Sequence, residues 1–494
     1  MSRSKVSEKY VKMNPEEHVL ARPGMYVGSM EKDEFNTWIL DENNEKMIKK
    51  NIKYVPDLYK IYDELLVNIL DHMKRIEMEK LKNPVKTIKV NIDTSENKIE
   101  VYNDGDGIDI EIHPEHKIYI PELIFGNMLT STNYDEKEEK VIGGMNGIGS
   151  KACNIFSKKF IIETVDANKK LKYIQEFEDN MSKKNKPKIK DYSKYPYTKI
   201  TFYPDLKRFN ISKIGSHLFK LMQKRVYDLC ALTNDNIKIY FNNERININN
   251  FQKYAQLYLN GYGSKDIIYE KINDRCEVIV TYNDQTTNLE QISFVNGIWT
   301  LKGGKHVDNI VNQIVKNMSE MIVKKNKDLT NIKPAHIRDN LFVFIKSTIV
   351  NPSFDSQTKD SLTTPVSKFG SKFNLSKQFY NKLYSTKLTE NIIELCNVFL
   401  NKTLKKTDGK KRNQLRGIPK LDDAIWAGTN KSSECTLILT EGDSAKSMAI
   451  AGLSVVGRES YGVFPLKGKL LNVLDINDSK IAANEEITNL KKII

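Results

Sequence analysis

Between Gly143 and Gly149 four of seven residues are glycine, in the order Gly143-Gly144-Met145-Asn146-Gly147-Ile148-Gly149, and the run passes straight into the helix-like Ser150-Lys151-Ala152-Cys153-Asn154-Ile155-Phe156. That arrangement restricts what the chain can be. Backbone N–H groups at a helix start lack intrahelical partners, glycine leaves them unscreened, and the helix dipole adds positive potential, so the segment suits phosphate oxygens. Two familiar phosphate patterns nearly fit. Gly144 to Gly149 has the spacing of GxxxxGK[ST], but Ser150 stands where the lysine belongs. Gly147 to Ala152 satisfies GxGxxA, a short pattern with many chance matches, and no clear strand leads into it, so a dinucleotide fold is rejected.

A second glycine segment, Asn103-Asp104-Gly105-Asp106-Gly107-Ile108, follows a strand and allows a tight turn with close backbone approach. Upstream, residues 57–80 read as one amphipathic helix, with Pro56 and Asp57 as its start signal. Glu64, Asn68, Asp71 and Arg75 fall at i, i+4, i+7 and i+11 on it and share one stripe. Leu65, Leu66, Ile69, Leu70 and Met73 occupy the adjoining faces. Such a polar stripe is either a solvated face or the lining of a site. Spacing alone favours the solvated face; the two glycine segments turn the balance toward a site.

Elsewhere, residues 86–103 read as strand, turn, strand, and 160–205 as further strands interrupted by a basic loop, Lys183–Lys190. A second unit opens near residue 246, with strands at 277–282, 292–299 and 341–350. Between the last two, Val307, Ile310, Val311, Ile314, Val315, Met318, Met321 and Ile322 mark the buried face of a helix. One long helical stretch is expected from about 376 to 406, then a charged linker at 405–412. A strand and acidic turn at 434–445 open a final unit.

Lys and Arg total 77 against 63 Asp and Glu, a net charge of +14, which suits a polyanionic partner such as nucleic acid, although the heavy use of Lys, Ile and Asn is also what an AT-rich genome would produce. The five cysteines are widely spaced without CxxC, which predicts free thiols and no zinc module. No secretory leader is apparent, and no apolar run approaches the ~18 residues of a membrane span. A soluble, intracellular protein is expected.

An acid and an amide on one helix, then NDGxG, then GGxNGxG opening a helix, together resemble the GHKL ATPases. YNDGDGIDIEIH, IYIPELIFGNMLTSTNYD and GGMNGIGSKACNIFS narrow this to the type IIA DNA topoisomerases of the eukaryotic kind, as does EEHVLARPGMYVGS. The resemblance runs from about residue 8 to the last residue. SFVNGIWTLKGGKHVDNIVNQI and NPSFDSQTK are similar to the family's transducer. GIPKLDDA, LILTEGDSAKSMAIAGL and GVFPLKGKLLNV are similar to its linker and the start of its TOPRIM domain.

The resemblance implies an α+β multidomain chain. A GHKL (Bergerat) α/β sandwich with an N-terminal arm covers 1–245, and a transducer of ribosomal-protein-S5-like α/β fold covers 246–385. A helical linker follows at 386–431, then a partial α/β TOPRIM domain at 432–494. It further implies ATP and Mg²⁺ as cofactors. Glu64 becomes the general base for the attacking water and Asn68 the Mg²⁺ ligand, and Asn103 stands where the adenine amino group is read. Asp71, His72, Arg75 and Ile108 line the same pocket. Ser131, Thr132 and Asn133 match ribose and phosphate contacts. Gly144, Asn146, Gly147, Gly149 and Lys151 belong to the lid loop. Gln357 and Lys359 reach the γ-phosphate, where Lys359 senses hydrolysis. Glu441 matches the TOPRIM metal-binding glutamate, and Lys324, Lys325 and Lys327 match a DNA-sensing lysine loop.

Three residues depart from the family pattern. Met145 replaces an arginine, removing one phosphate-facing cation; Ile148 replaces an aromatic; Asp109 replaces a proline. The implied machine is an ATP-gated homodimer that captures duplex DNA, in the nucleus, or at a viral replication site or in the cytoplasm if virus-encoded. The TOPRIM DxD and the cleavage tyrosine are expected beyond Ile494, in the same or a second chain, so this chain is expected to hydrolyse ATP without cleaving DNA. Rival readings are a MutL-like or Hsp90-like machine, against which EGDSA and PLKGK argue, and a DNA clamp that holds ATP unhydrolysed, against which Glu64 argues.

Overall fold

The computed structural model describes residues 12–130, 140–144, 147–283, 288–326, 329, 332–407, 418–474, 476 and 478–494, with backbone alone at 398–407 and 478. The chain divides into two compact units. One comprises the chain up to Thr281 with Leu289–Gln313 and Phe342–Phe379; the other comprises Tyr282–Asn288, Ile314–Leu341 and Tyr380–Ile494.

Among the described residues the first unit carries a nine-stranded sheet, mostly antiparallel. At its centre Thr87–Asp93 pairs with Lys98–Asp104, which pairs in turn with Tyr197–Pro204. Ile88, Val90 and Ile92 alternate inward, the period of a half-buried strand. The helix Pro56–Met78 contributes Leu58, Leu65, Leu66 and Ile69 to the same core as Ile88, Val90, Val101 and Phe160. The expected helix is therefore present, starting one residue early at Pro56, where a proline costs no helical hydrogen bond. The expected basic loop at 183–190 is instead edge structure: Lys183–Lys184 and Lys188–Asp191 both pair with Leu171–Glu178. Lysine-rich composition hid these strands because edge strands carry charge without burying it.

A five-stranded sheet follows, in the order Ile268–Asn273, Cys276–Tyr282, Leu341–Ser347, Glu290–Val295, Ile298–Trp299. The strand expected at 292–299 is two strands of a hairpin. Asn296 and Gly297 form its tip with φ of 50° and 81°, the left-handed pair that a two-residue primed turn requires. Asn-Gly is the sequence signal for this turn, submerged here in an apolar run.

In the second unit Thr436–Glu441 and Tyr461–Leu466 are parallel neighbours joined through the helix Gly442–Val456. The long helix expected from 376 to 406 is two helices, Lys377–Tyr384 and Lys387–Thr407. They part at Ser385-Thr386, whose hydroxyls bond back to Asn381 and Leu383 carbonyls; such local bonds compete with helix continuation. All five cysteines are free.

Candidate active site

The polar stripe on the Pro56–Met78 helix lines a cavity of about 880 Å³ within the first unit. Glu64, Asn68, Asp71, His72 and Arg75 line it together with Asn103 and Ile108 from the segment Asn103–Ile108. Gly144, Gly147, Gly149 and Lys151 close one end, and Gln357 and Lys359 enter from a distant loop. Every described residue of the expected nucleotide set thus meets in one place. Ser131, Thr132, Asn133, Met145 and Asn146 lie outside the described residues.

The glycines are positions of close approach. A Cβ on Gly149 would stand 2.5 Å from Glu64 Oε2, and one on Gly144 would stand 3.0 Å from Asp71 Oδ2. A Cβ on Gly107 would lie 2.0 Å from the Val165 carbonyl oxygen. Gly149 begins the short helix Gly149–Ile155, so this helix start abuts the Glu64 carboxylate itself. Asp71 takes the other part of the glycine segment, accepting the N–H groups of Gly143 at 2.8 Å and Gly144 at 2.7 Å.

Burial would push the Glu64 carboxyl upward, but the ammonium groups of Lys359 and Lys60 outweigh it and hold it at about 2. Both reach Oε1, at 2.9 Å and 3.0 Å. Glu64 is therefore a carboxylate across the physiological range. Asp71 goes the other way: burial raises it to about 6, with the two glycine N–H bonds partly offsetting. Burial and the neighbouring Arg75 hold His72 down at about 4. As a neutral ring, His72 donates from Nε2 to the Asp106 carbonyl at 2.6 Å and accepts from Arg75 at Nδ1 at 2.9 Å. This bond ties the helix to the NDGDG turn. Asp104 anchors that turn from below, accepting the Lys86 and Thr87 N–H groups. Lys151, lowered to about 8 by burial, donates to the Thr130 carbonyl at 2.8 Å.

The arrangement fits a nucleotide and a divalent cation. The cavity is of ligand-pocket size, apolar side chains such as Ile108, Ile124 and Ile200 line part of it, and the glycines leave space only for backbone and ligand. Asn68 is half-buried without a hydrogen-bond partner among the described residues, and an amide oxygen is the hard donor that Mg²⁺ takes alongside phosphate oxygens.

Sequence reading passed over Lys60, although it sits at i−4 from Glu64 on the same stripe. It also passed over Asp63 and Arg225, whose ion pair is wholly internal; nothing in their spacing marks them. The remaining expected residues lie in the second unit. Lys324 and Lys325 are exposed at the end of the helix Lys305–Lys325, with Lys325 Nζ 3.7 Å from the Tyr384 ring centroid. Lys327 lies outside the described residues. Glu441 is exposed at the end of Thr436–Glu441, and Asp443 pairs with Lys420. No group of three metal-ligating side chains occurs among the described residues.

Residues 54–207 match the family described as histidine kinase-, DNA gyrase B- and HSP90-like ATPase, and residues 236–414 match DNA gyrase B. The chain is 49% identical over 496 residues to DNA topoisomerase 2 of Acanthamoeba polyphaga mimivirus, covering 99% of this chain and 38% of that protein. It is 46% identical over 506 residues to DNA topoisomerase 2 of Saccharomyces cerevisiae, covering 99% and 35%. The chain thus spans little more than a third of the curated relatives it matches. Its fold aligns with the ATPase region of Saccharomyces cerevisiae topoisomerase II at a TM-score of 0.73 and 45% identity, over 80% of this chain and 100% of that one. It aligns with the ATPase and transducer domains of DNA topoisomerase II from Balamuthia mandrillaris at 0.74 and 39%, over 82% and 100%. With a GHKL cavity assembled and a relative of known structure covered from end to end, the chain belongs to the type IIA DNA topoisomerase family and comprises that family's ATPase region.

Proposed function

We propose that this chain binds ATP with Mg²⁺ and hydrolyses the γ-phosphate bond, serving as the ATP-operated gate of an enzyme that changes DNA topology. The observation that supports this best is Glu64. An ionised, buried carboxylate stands at the glycine-opened helix start, held by two lysines of which one comes from a remote loop. Asn68 would hold Mg²⁺, which when bound would neutralise charge along the phosphates. Glu64 orients and deprotonates the attacking water, a task for a carboxylate within one water of the phosphorus. Asp71 and the lid glycines Gly144, Gly147 and Gly149 shape the phosphate cradle, with Lys151 beside them. Asn103 reads the adenine, and His72 and Arg75 brace the helix. Ser131, Thr132, Asn133 and Asn146 complete the ribose and phosphate contacts. Lys359, with Gln357, engages the terminal phosphate.

The domain division we propose is an ATPase domain at 1–245, a transducer at 246–385, a linker at 386–431 and the beginning of a TOPRIM domain at 432–494, in which Glu441 is one ligand of a second metal site. The working assembly is a homodimer closing on duplex DNA, completed by the rest of a topoisomerase core. Lys324, Lys325 and Lys327 sense the captured DNA. The setting is the nucleus, or a viral replication site or the cytoplasm if the protein is virus-encoded, in line with relatives from eukaryotes and a mimivirus. No helix among the described residues is long and apolar enough to cross a membrane.

The test is turnover beside binding. Wild type should hydrolyse ATP, and Glu64→Gln should bind a non-hydrolysable analogue comparably while losing hydrolysis by roughly a thousandfold. Near-normal turnover in Glu64→Gln would remove Glu64 from this role. In sedimentation the analogue should shift the wild-type chain from monomer to dimer; a mass indifferent to nucleotide would count against the gate.

A further inference from the structure

The expected site does not include a buried ionic chain that leads away from Glu64. Lys60 Nζ bridges Glu64 Oε1 at 3.0 Å and Asp63 Oδ2 at 3.3 Å. The other Asp63 oxygen accepts from Arg225 Nε, and Arg225 Nη2 donates to the Gly297 carbonyl at 2.7 Å. Lys60, Asp63 and Glu64 are 4 to 6% exposed and Arg225 is 0% exposed. Four side chains therefore carry one continuous path from the carboxylate to the tip of the Glu290–Trp299 hairpin.

That tip also touches the glycine segment. Asn296 Nδ2 donates to the carbonyls of Ile142 at 3.1 Å and Ile349 at 2.9 Å. A Cβ on Gly143 would stand 2.9 Å from the Asn296 carbonyl oxygen. The tip is thus bonded to the glycine segment's flank at Ile142 and, through Arg225, to the ionic path that ends at Glu64. The tip also approaches the stripe-bearing helix closely: a Cβ at Gly297 would stand 2.6 Å from Leu70 Cδ1.

Stability alone does not account for this chain. Removing charges from water costs more than a buried pair usually returns, and apolar residues of similar volume commonly serve as well or better. One donor, Arg225 Nη1, is buried without a hydrogen-bond partner, with Asp228 Oδ2 3.8 Å away. The planar guanidinium can address a carboxylate and a carbonyl in two directions at once, which an ammonium cannot.

We infer that Arg225 is a positioning residue that couples the hairpin tip to the general base, so that movement of the hairpin sets the placement of Glu64. This rests on Glu64 as the base and adds the device that aligns it. Arg225 is not among the residues that line the cavity and acts through Asp63 and Lys60.

The experiment titrates active sites with a non-hydrolysable ATP analogue and measures turnover per titrated site in wild type, Glu64→Gln, Arg225→Lys, Asp63→Asn and the double variant Arg225→Lys/Asp63→Asn. Arg225→Lys keeps the charge but not the second direction. Turnover per site should fall roughly tenfold or more in each single variant, with KM within about twofold of wild type. The double variant should lose no more than the worse single, as members of one path do. Turnover per site within about twofold of wild type in either folded variant overturns the inference. So does a loss of titratable sites with unchanged turnover at those remaining, or a loss of all sites in both, since each marks a structural role only. If wild type hydrolyses nothing, or Glu64→Gln still hydrolyses, the reading of the base fails first. If those controls behave and Arg225→Lys is normal, only the coupling fails.

Discussion

Lys359 Nζ lies 2.9 Å from Glu64 Oε1, both side chains buried, although 295 positions separate them in the chain. The same ammonium is 3.4 Å from the Gly143 carbonyl oxygen. A single cation thus spans Glu64 and the glycine segment. If Lys359 turns toward a terminal phosphate, as proposed above, Glu64 keeps only Lys60, its carboxylate is less stabilised, and it becomes the stronger base.

Lys359→Met should therefore do two things. Turnover should drop by roughly a hundredfold or more, as for loss of a charge stabilising the transition state. The acid limb of kcat/KM should also move to higher pH, because burial raises Glu64 and one of its two opposing cations is gone. An acid limb that stays in place would separate Lys359 from Glu64 in solution.

Gly149→Ala should damage chemistry more than binding. The added methyl carbon would meet Glu64 Oε2 at 2.5 Å and the side-chain carbons at 2.7 and 2.8 Å. Either Glu64 or the helix start must shift, and misplacing a base by about an ångström costs on the order of a hundredfold. Turnover and analogue affinity measured together check this; equal losses in both would place the damage in the cradle instead.

Asp57 predicts a pH-dependent stability. Both its carboxyl oxygens are buried without hydrogen-bond partners among the described residues, and burial lifts the group to about 7. A folded value above the unfolded 3.8 stabilises fully at low pH, and that contribution is lost as pH rises through 7. Asp57→Asn is neutral throughout. Its stability relative to wild type should climb by about 2 kcal/mol between pH 4 and 8. Denaturant melts at the two pH values measure this, and a flat difference would mean that Asp57 finds a partner in solution.

Replacing Lys324, Lys325 and Lys327 by alanine should reduce stimulation of the ATPase by DNA while sparing basal turnover. Phosphate contacts of this kind release counterions, so the salt dependence of stimulation should become shallower by up to about one unit of slope per lysine. Lys325, resting on Tyr384, should contribute least of the three when replaced singly. Equal loss of basal and stimulated turnover would point to misfolding.

Much of the site was legible because its signals are local. Periodicity placed Glu64, Asn68, Asp71 and Arg75 on one stripe, and the glycine runs announced backbone approach on either side. Alternating Ile88, Val90 and Ile92 announced a strand with one buried face. The misread elements were those where two local signals conflict: Asn296-Gly297 inside an apolar run, lysines along an edge strand, and hydroxyls that break a helix at Ser385-Thr386.

By itself the sequence determined most of the elements, the glycine approaches and the family, since each follows from residues within a turn or two of one another or from long matching blocks. Only the tertiary structure decided that Lys359 and Lys60 share one oxygen of Glu64, that Asp71 is spent on Gly143 and Gly144, and that Arg225 joins Asp63 to Gly297. Those pairings depend on which charges burial forces together. Removing water makes an unpaired charge costly, and the fold, not the spacing, chooses the partner that answers it.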